Sequence, residues 1–506
     1  MKPILFAAMG AILLSTACVR QERFRFVPAT SACFPETANG PHVPGPSNQQ
    51  PSLDCRHSQY RLAFIEFDSH GKTFDPNEEA VALKLLDRAK ADAPGGKIIT
   101  VVYVHGWKNN AAEALPGGKP KDVEKFENAL LELGYRAGNA AENTGMKPVP
   151  VVGIYIGWRG KTLMGPDWYT ALSLWSRRNT ANRVGSGADL APILNRIIEK
   201  SNEGSGKSRV LMIGHSFGAR VLEHVIETKK IKLYDTLPQS GAVNPRVDLV
   251  LYVNSANDAR LSMGRVQELR AHPVSVHHPN YDPAECGGGP GSAEMGDEMR
   301  AARCRDYPLL VAITSKGDLA TKYLLPVANT INSDKRSAPM PTPPAGDTFA
   351  DPVPRAGAFK RAAAAHMPFL HSHTVSEITC PALFPPAVSN DQSTRSREEN
   401  KARFERALHP VCSAADKNCR FAFRTRGEQP VCFQVDQRTP VADKTPFNTT
   451  AFWIMNVEPT VIKDHGDIWN VSFVEMLGQL MAPRGFFEPG AGRVQLRAAP
   501  ARAEAK

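Results

Sequence analysis

Residues 209 to 230 read RVLMIGHSFGARVLEHVIETKK. The opening run, Val210 to Ile213, is apolar and suits a strand buried on both faces. It turns through Gly214-His215-Ser216-Phe217-Gly218, and apolar residues then recur at helical spacing as Val221, Leu222, Val225 and Ile226. A strand, a glycine-flanked serine and a helix in that order put the hydroxyl on a tight turn at the strand's C-terminal end. Small neighbours are needed there because a side chain would strike the adjoining strand and helix. The N–H of Phe217 then lies at the positive end of the helix, where a developing negative oxygen is favoured. Ser216 is the candidate nucleophile.

Outward from this unit, short apolar runs alternate with helical patterns. LAFIEF starts at Leu62, IITVVYV at Ile98, VVGIYIGW at Val151, LVLYVN at Leu249, LLVAIT at Leu309 and TAFWIMNV at Thr450. Strands of this kind separated by helices predict an α/β chain with a doubly wound, mostly parallel sheet. A long detour, 319–449, precedes the last run and contains four cysteines, a Pro-rich stretch and the apolar segments MPFL and ALFPP. So long a structureless loop is improbable, so a large disulfide-bearing insertion is expected, either a cap over the pocket or a side module that leaves it open.

The 506 residues, 42% hydrophobic and 22% charged, are globular in composition and exclude disorder throughout. The net charge of +10 is spread along the chain with no long basic run, so no nucleic acid is expected as partner. Lys2, the apolar stretch from Ile4 to Leu14 and the small residues before Cys18 read as an export signal over 1–17. Cys18 follows directly and resembles the acylated cysteine of a bacterial lipobox, although Ser15 stands where leucine is usual. Lipidation at Cys18 predicts anchorage in the bacterial cell envelope facing the periplasm. The alternative is plain cleavage after Ala17 and a soluble periplasmic protein. Cys18 apart, eight of the nine cysteines remain, an even number suited to disulfides in an oxidising compartment. Proximity in sequence suggests Cys33 with Cys55 and Cys286 with Cys304. No CxxC and no Cys–His spacing points to a metal, so none is expected.

With these motifs the chain resembles the α/β-hydrolase superfamily, within its uncharacterised esterase- or lipase-like bacterial branch. The resemblance covers 60–318 and 450–480. Tyr103-Val104-His105-Gly106-Trp107 looks like the family's His-Gly motif, so Gly106 or Trp107 would join Phe217 as oxyanion-hole N–H donors, with His105 structural. The family order of serine, acid, histidine points to Asp318 in ITSKGDLAT, with Asp258 in VNSANDAR as competitor, and to His465 as general base. Asp464 and Asp467 beside it read as loop caps. His215, Trp158 and Arg159 are candidate pocket residues, Trp158 alternatively packing under a loop. His366, His371 and His373 are expected on the surface of the detour.

The resemblance implies a serine hydrolase that cleaves a small-molecule or lipid ester with no cofactor. An acyltransferase on the same residues and a non-catalytic envelope-anchored binding protein are the alternatives. The expected organisation is a signal peptide (1–17), an anchor and flexible tether (18–59), core (60–318), insertion (319–449), the last core strand and helix (450–485) and a tail (486–506).

Overall fold

A computed structural model of the chain describes residues 23–28, 33, 50–55, 57–113, 121–144, 147–160, 174–204, 208–228, 231–236, 243–272, 274, 276, 307–331, 354–378, 419–424, 432–437, 451–481 and 484–486. The strands among them are β1 (Arg25–Phe26), β2 (Gln50–Pro51), β3 (Leu53–Asp54), β4 (Tyr60–Phe67), β5 (Ile99–Val104), β6 (Val151–Trp158), β7 (Arg209–His215), β8 (Tyr234–Thr236), β9 (Val243–Pro245), β10 (Leu249–Val253), β11 (Leu310–Ser315), β12 (His373–Ile378), β13 (Cys419–Arg424), β14 (Cys432–Gln437) and β15 (Phe452–Val457). The helices are α1 (Pro76–Asp92), α2 (Asp122–Thr144), α3 (Leu174–Ser186), α4 (Leu190–Asn202), α5 (Phe217–Glu227), α6 (Ala259–Ala271), α7 (Leu325–Ile331), α8 (Ala356–Arg361) and α9 (Val471–Met481).

Eleven strands form one mixed, mostly parallel sheet in the order β13-β14-β12-β15-β11-β10-β7-β5-β6-β4-β3. Every pairing from β12 across to β4 is parallel, while β3 on one side and β14 and β13 on the other are antiparallel. Successive residues of a strand point to opposite faces, so the apolar runs feed two cores. Val210 and Met212 pack in a layer with Leu85 of α1, Ile197 of α4, Val221 of α5 and Met263 of α6. Leu211 and Ile213 pack on the other face with Phe126 of α2 and Phe473 of α9. From β5 the chain steps to β6 on one side and returns to β7 on the other, so the order of winding reverses between β5 and β7. Sheets of this type leave a crevice for ligands outside the C-terminal ends at such a reversal. Here those ends are Val104 and His215.

Two segments differ from the sequence reading. Part of 18–59, expected as a flexible tether, is built onto the domain. β1 pairs with β2, β3 pairs with β4, and a disulfide joins Cys33 to Cys55. The Glu66 carboxylate accepts the N–H groups of Phe24 (3.0 Å) and Arg25 (2.7 Å), and the buried Arg25 guanidinium lies 3.5 Å over the Phe64 ring. Composition hid this docking because backbone pairing and one buried arginine carry it, not an apolar run. Part of 319–449 likewise enters the core: β12 lies parallel beside β15, and Phe359, Phe369 and Leu370 are buried in the layer that holds α5. The MPFL segment is therefore core, not cap surface. ALFPP, the proposed pairing of Cys286 with Cys304, and Cys18 fall outside the described residues. No helix among the described residues is long and apolar enough to cross a membrane.

Candidate active site

Ser216 sits between β7 and α5 with φ 55° and ψ −119°, a conformation that L-residues adopt only under strain. Its N–H donates to Val253 O (3.0 Å), and its carbonyl accepts from the N–H groups of Arg220 (3.2 Å) and Ala256 (3.1 Å). These bonds to β10 and α5 hold the strained turn in place. A Cβ on Gly218 would come within 2.0 Å of Val104 O, and one on Gly214 within 2.6 Å of Ala219 Cα. Both glycines are required because β5, β7 and α5 converge there.

The loop after β15 brings His465 to this turn. Its Nε2 lies 2.7 Å from Ser216 Oγ, and its Nδ1 lies 2.9 Å from Asp318 Oδ1. Asp318 follows β11 and is fully buried. Its carboxylate also accepts the Thr321 N–H at Oδ1 (3.0 Å) and the Thr321 hydroxyl at Oδ2 (2.5 Å). Burial pushes its pKa up, but the charge of His465 and the hydrogen bonds from His465 and Thr321 outweigh it and leave the group below the usual carboxylate range. Asp258 does not reach His465. It caps α6, accepting the Arg260 N–H (3.3 Å) and pairing with the Arg260 guanidinium (2.7 Å). Asp464 and Asp467 are caps of the histidine loop, Asp464 accepting from Gly466 N (2.9 Å) and Asp467 from Lys463 N (3.3 Å).

Two of the candidate pocket residues, His215 and Trp158, hydrogen-bond to the loops around Ser216. His215 is buried and its Nε2–H donates to the His465 carbonyl (2.7 Å). Burial, then the neighbouring charge of His465, lowers its pKa to about 3, so the ring is neutral. Asn254 Nδ2 donates to the same carbonyl (3.1 Å), while Asn254 Oδ1 accepts from Ser315 N (3.0 Å). Strands β7, β10 and β11 thus tie down the loop that carries His465. Trp158 packs under the turn after β5. Its ring is stacked 5.5 Å from that of His105, and its Nε1–H donates to His105 O (2.7 Å). The His105 Nδ1–H donates to Gly106 O (2.9 Å) and Nε2 accepts the Trp158 N–H (2.9 Å), with burial lowering the pKa to about 4. His105 therefore orients backbone. Gly106 is buried and Trp107 half-buried at that turn, and Arg159, also half-buried, offers its carbonyl to Arg177 (2.8 Å).

Of the three histidines expected on the surface, His373 is buried, whereas His366 and His371 are half-buried. His373 lies on β12, buried, with its ring 4.1 Å from that of Trp453. His371 Nε2–H donates to Ala365 O (2.8 Å), and His366 Nε2 lies 2.8 Å from the Thr321 hydroxyl oxygen. The detour reads as surface, yet His373 opens a strand that pairs with the core strand β15. Thr321 and Asn254 escaped the sequence reading altogether. For Thr321 a signal existed: Asp318-Leu319-Ala320-Thr321 has the spacing at which a cap side chain meets the third residue of a helical turn. No cluster of three His, Cys, Asp or Glu side chains suited to a metal ion occurs among the described residues.

No family model matches the chain, and no curated protein does. Among solved structures it is similar to a lipase-esterase related protein from Clostridium acetobutylicum ATCC 824, at 13% identity over 45% of this chain and 78% of that one, with a TM-score of 0.15. It is also similar to an uncharacterized protein from Pseudomonas aeruginosa, at 12% identity over 51% of this chain and 42% of that one, with a TM-score of 0.19.

Proposed function

We propose that the chain is a serine hydrolase of the α/β-hydrolase fold that cleaves carboxylic esters through an acyl-enzyme on Ser216. The observation that carries this reading is the continuous path from Ser216 Oγ to His465 Nε2 (2.7 Å) and from His465 Nδ1 to Asp318 Oδ1 (2.9 Å) at the C-terminal ends of parallel strands. Ionised Asp318 accepts from Nδ1–H and so selects the tautomer whose Nε2 is free to take a proton. His465 takes the hydroxyl proton as Oγ attacks the ester carbonyl. The carbonyl oxygen becomes negative against the N–H of Phe217, whose position at the first turn of α5 leaves it without a helical acceptor, and against that of Gly106 or Trp107. Collapse expels the alcohol, which takes the proton back from His465. Water, deprotonated in the same way, then releases the acid.

Leu319, Tyr323, Leu324 and Val327, all exposed, follow directly on Asp318 and support a substrate with an apolar acyl or aryl group. The test uses p-nitrophenyl esters of graded chain length together with a fluorophosphonate probe. Ser216→Ala is expected to lose about a thousandfold or more in kcat and all probe labelling, with its melting temperature unchanged. In the unmutated protein kcat/KM should climb by up to about fourfold per methylene, equivalent to about 0.8 kcal/mol, until the pocket is filled. Wild-type turnover by Ser216→Ala would sink the assignment. The reading includes attachment of the chain to the cell envelope through lipid on Cys18. Its test is detergent phase partition, in which Cys18→Ser should leave the detergent phase for the aqueous one, and equal partition of the two proteins would remove the anchor from the reading.

A further inference from the structure

We propose that Thr321 and His366 are positioning residues for Asp318, with His366 contributed by the segment between the acid turn and the last core strand; the proposal rests on the reading of Ser216, His465 and Asp318 given above. The two oxygens of Asp318 are used differently. Oδ1 accepts from His465 Nδ1 (2.9 Å) and from Thr321 N (3.0 Å), whereas Oδ2 accepts from the Thr321 hydroxyl (2.5 Å). An ionised carboxylate can only accept, so the single hydroxyl hydrogen of Thr321 belongs on Oδ2. The same hydroxyl oxygen lies 2.8 Å from His366 Nε2. With its hydrogen committed to Asp318, Thr321 can only accept from that side, so Nε2 of His366 must carry a hydrogen. The other tautomer of His366 would present a lone pair, compete for the same hydrogen and leave Oδ2 short of a donor. Water is no substitute, since Asp318 is 0% and Thr321 1% exposed.

Every donor in the resulting chain points toward the carboxylate, His366 through Thr321 on one oxygen and His465 on the other, so each bond polarises the next in the same direction. The backbone around His366 is fixed by groups that also serve the site. Asn456 on β15, the strand that leads to His465, donates from Nδ2 to Ala365 O (2.9 Å). His371 Nε2–H donates to the same carbonyl (2.8 Å), and the neighbouring Ala364 and Ala365 are buried. His366 and His465 are thereby referred to one strand on either side of Asp318.

The full-length protein is tested as Thr321→Val, Thr321→Ser, His366→Ala and His366→Gln. Each is assayed for kcat and KM on p-nitrophenyl acetate, by circular-dichroism melting, and by the low-field proton resonance of the His465–Asp318 hydrogen bond. Thr321→Val and His366→Ala are expected to lower kcat about tenfold, with KM unchanged within about twofold, and to shift the low-field resonance. Thr321→Ser keeps the hydroxyl, and in His366→Gln the side-chain amide can donate from near the place of imidazole Nε2, so both should stay within about twofold of the parent. His366→Asn, polar but too short to reach Thr321, replaces His366→Ala if the alanine protein does not fold, and should behave as that variant would. Parental kcat and an unshifted resonance in Thr321→Val and His366→Ala overturn the proposal, as does an equal loss in His366→Gln and His366→Ala. Ser216→Ala run alongside separates the two levels: if it is inactive while the Thr321 and His366 variants are normal, only the positioning role fails. If it turns over normally, the reading beneath the proposal fails with it.

Discussion

A carboxylate that is 0% exposed and accepts from both His465 and Thr321 holds its charge on one side of the imidazole, and that arrangement separates Asp318 from Asp258. In Asp318→Asn the amide can no longer enforce the Nδ1–H tautomer, so kcat should fall by roughly a thousandfold to ten-thousandfold with KM little changed. Asp258→Ala should do the reverse. It removes the cap of α6 and one partner of the buried Asp258–Arg260 pair, costing at least about 1 kcal/mol of stability and about 3 kcal/mol if the pair dominates, and leaves kcat within about twofold. Steady-state kinetics and urea unfolding of the two variants measure both effects. Parental kcat in Asp318→Asn would mean that another group orients His465.

At the scale of elements, the N-terminal segment is locked to the sheet through two buried carboxylates, Glu66 and Glu78. Glu66 holds the N–H groups of Phe24 and Arg25, and Glu78 accepts the Glu66 N–H (2.7 Å) and pairs with Arg23 (3.1 Å). Burial raises Glu66 from 4.5 to about 7, and burial with the charge of Glu66 raises Glu78 from 4.5 to about 8. Between the unfolded and the folded value the native state holds a proton that the unfolded chain has lost, so stability falls as pH rises across that window and levels off above it. The window runs from about 4.5 to about 7 for Glu66 and to about 8 for Glu78. Glu78→Gln cannot ionise, so its thermal or urea stability should decline less than the parent's between about pH 5 and 8, as about two carboxylates' worth of linkage becomes one. Parallel pH profiles for the two proteins would show that Glu78 is already ionised in the fold.

For the whole molecule, the sheet continues past β15 because 354–378 returns to it. Removing those residues would strip β12 from β15 and take Phe359, Phe369 and Leu370 out of the core. Each buried side chain of this size contributes about 1.5 to 3 kcal/mol, so the three together approach the roughly 5 to 15 kcal/mol that holds a whole domain. A chain lacking 354–378 is therefore expected to lose its cooperative unfolding transition, read by circular dichroism. A shortened protein that melts as the parent does would place the segment outside the folding unit.

The parallel strands β4, β5, β6, β7, β10, β11 and β15 and the serine turn were legible in sequence because their causes are local. A strand buried on both faces must be apolar throughout, and the crowded turn at Ser216 admits only glycine at 214 and 218. Family order likewise named Asp318 and His465 as candidates, though it left Asp258 in contention. What decided among them are contacts over long separations in the chain, 249 residues from Ser216 to His465 and 147 from Asp318 to His465. No periodicity records such distances. The docking of Phe24 and Arg25 on Glu66, the His215 and Asn254 bonds to the His465 carbonyl, and the approach of His366 to Thr321 belong to the same class. Each is a single polar bond whose partner is set by how strands are ordered in the sheet, and that order is a property of the packed molecule, because burying both faces of the sheet fixes which strand ends meet.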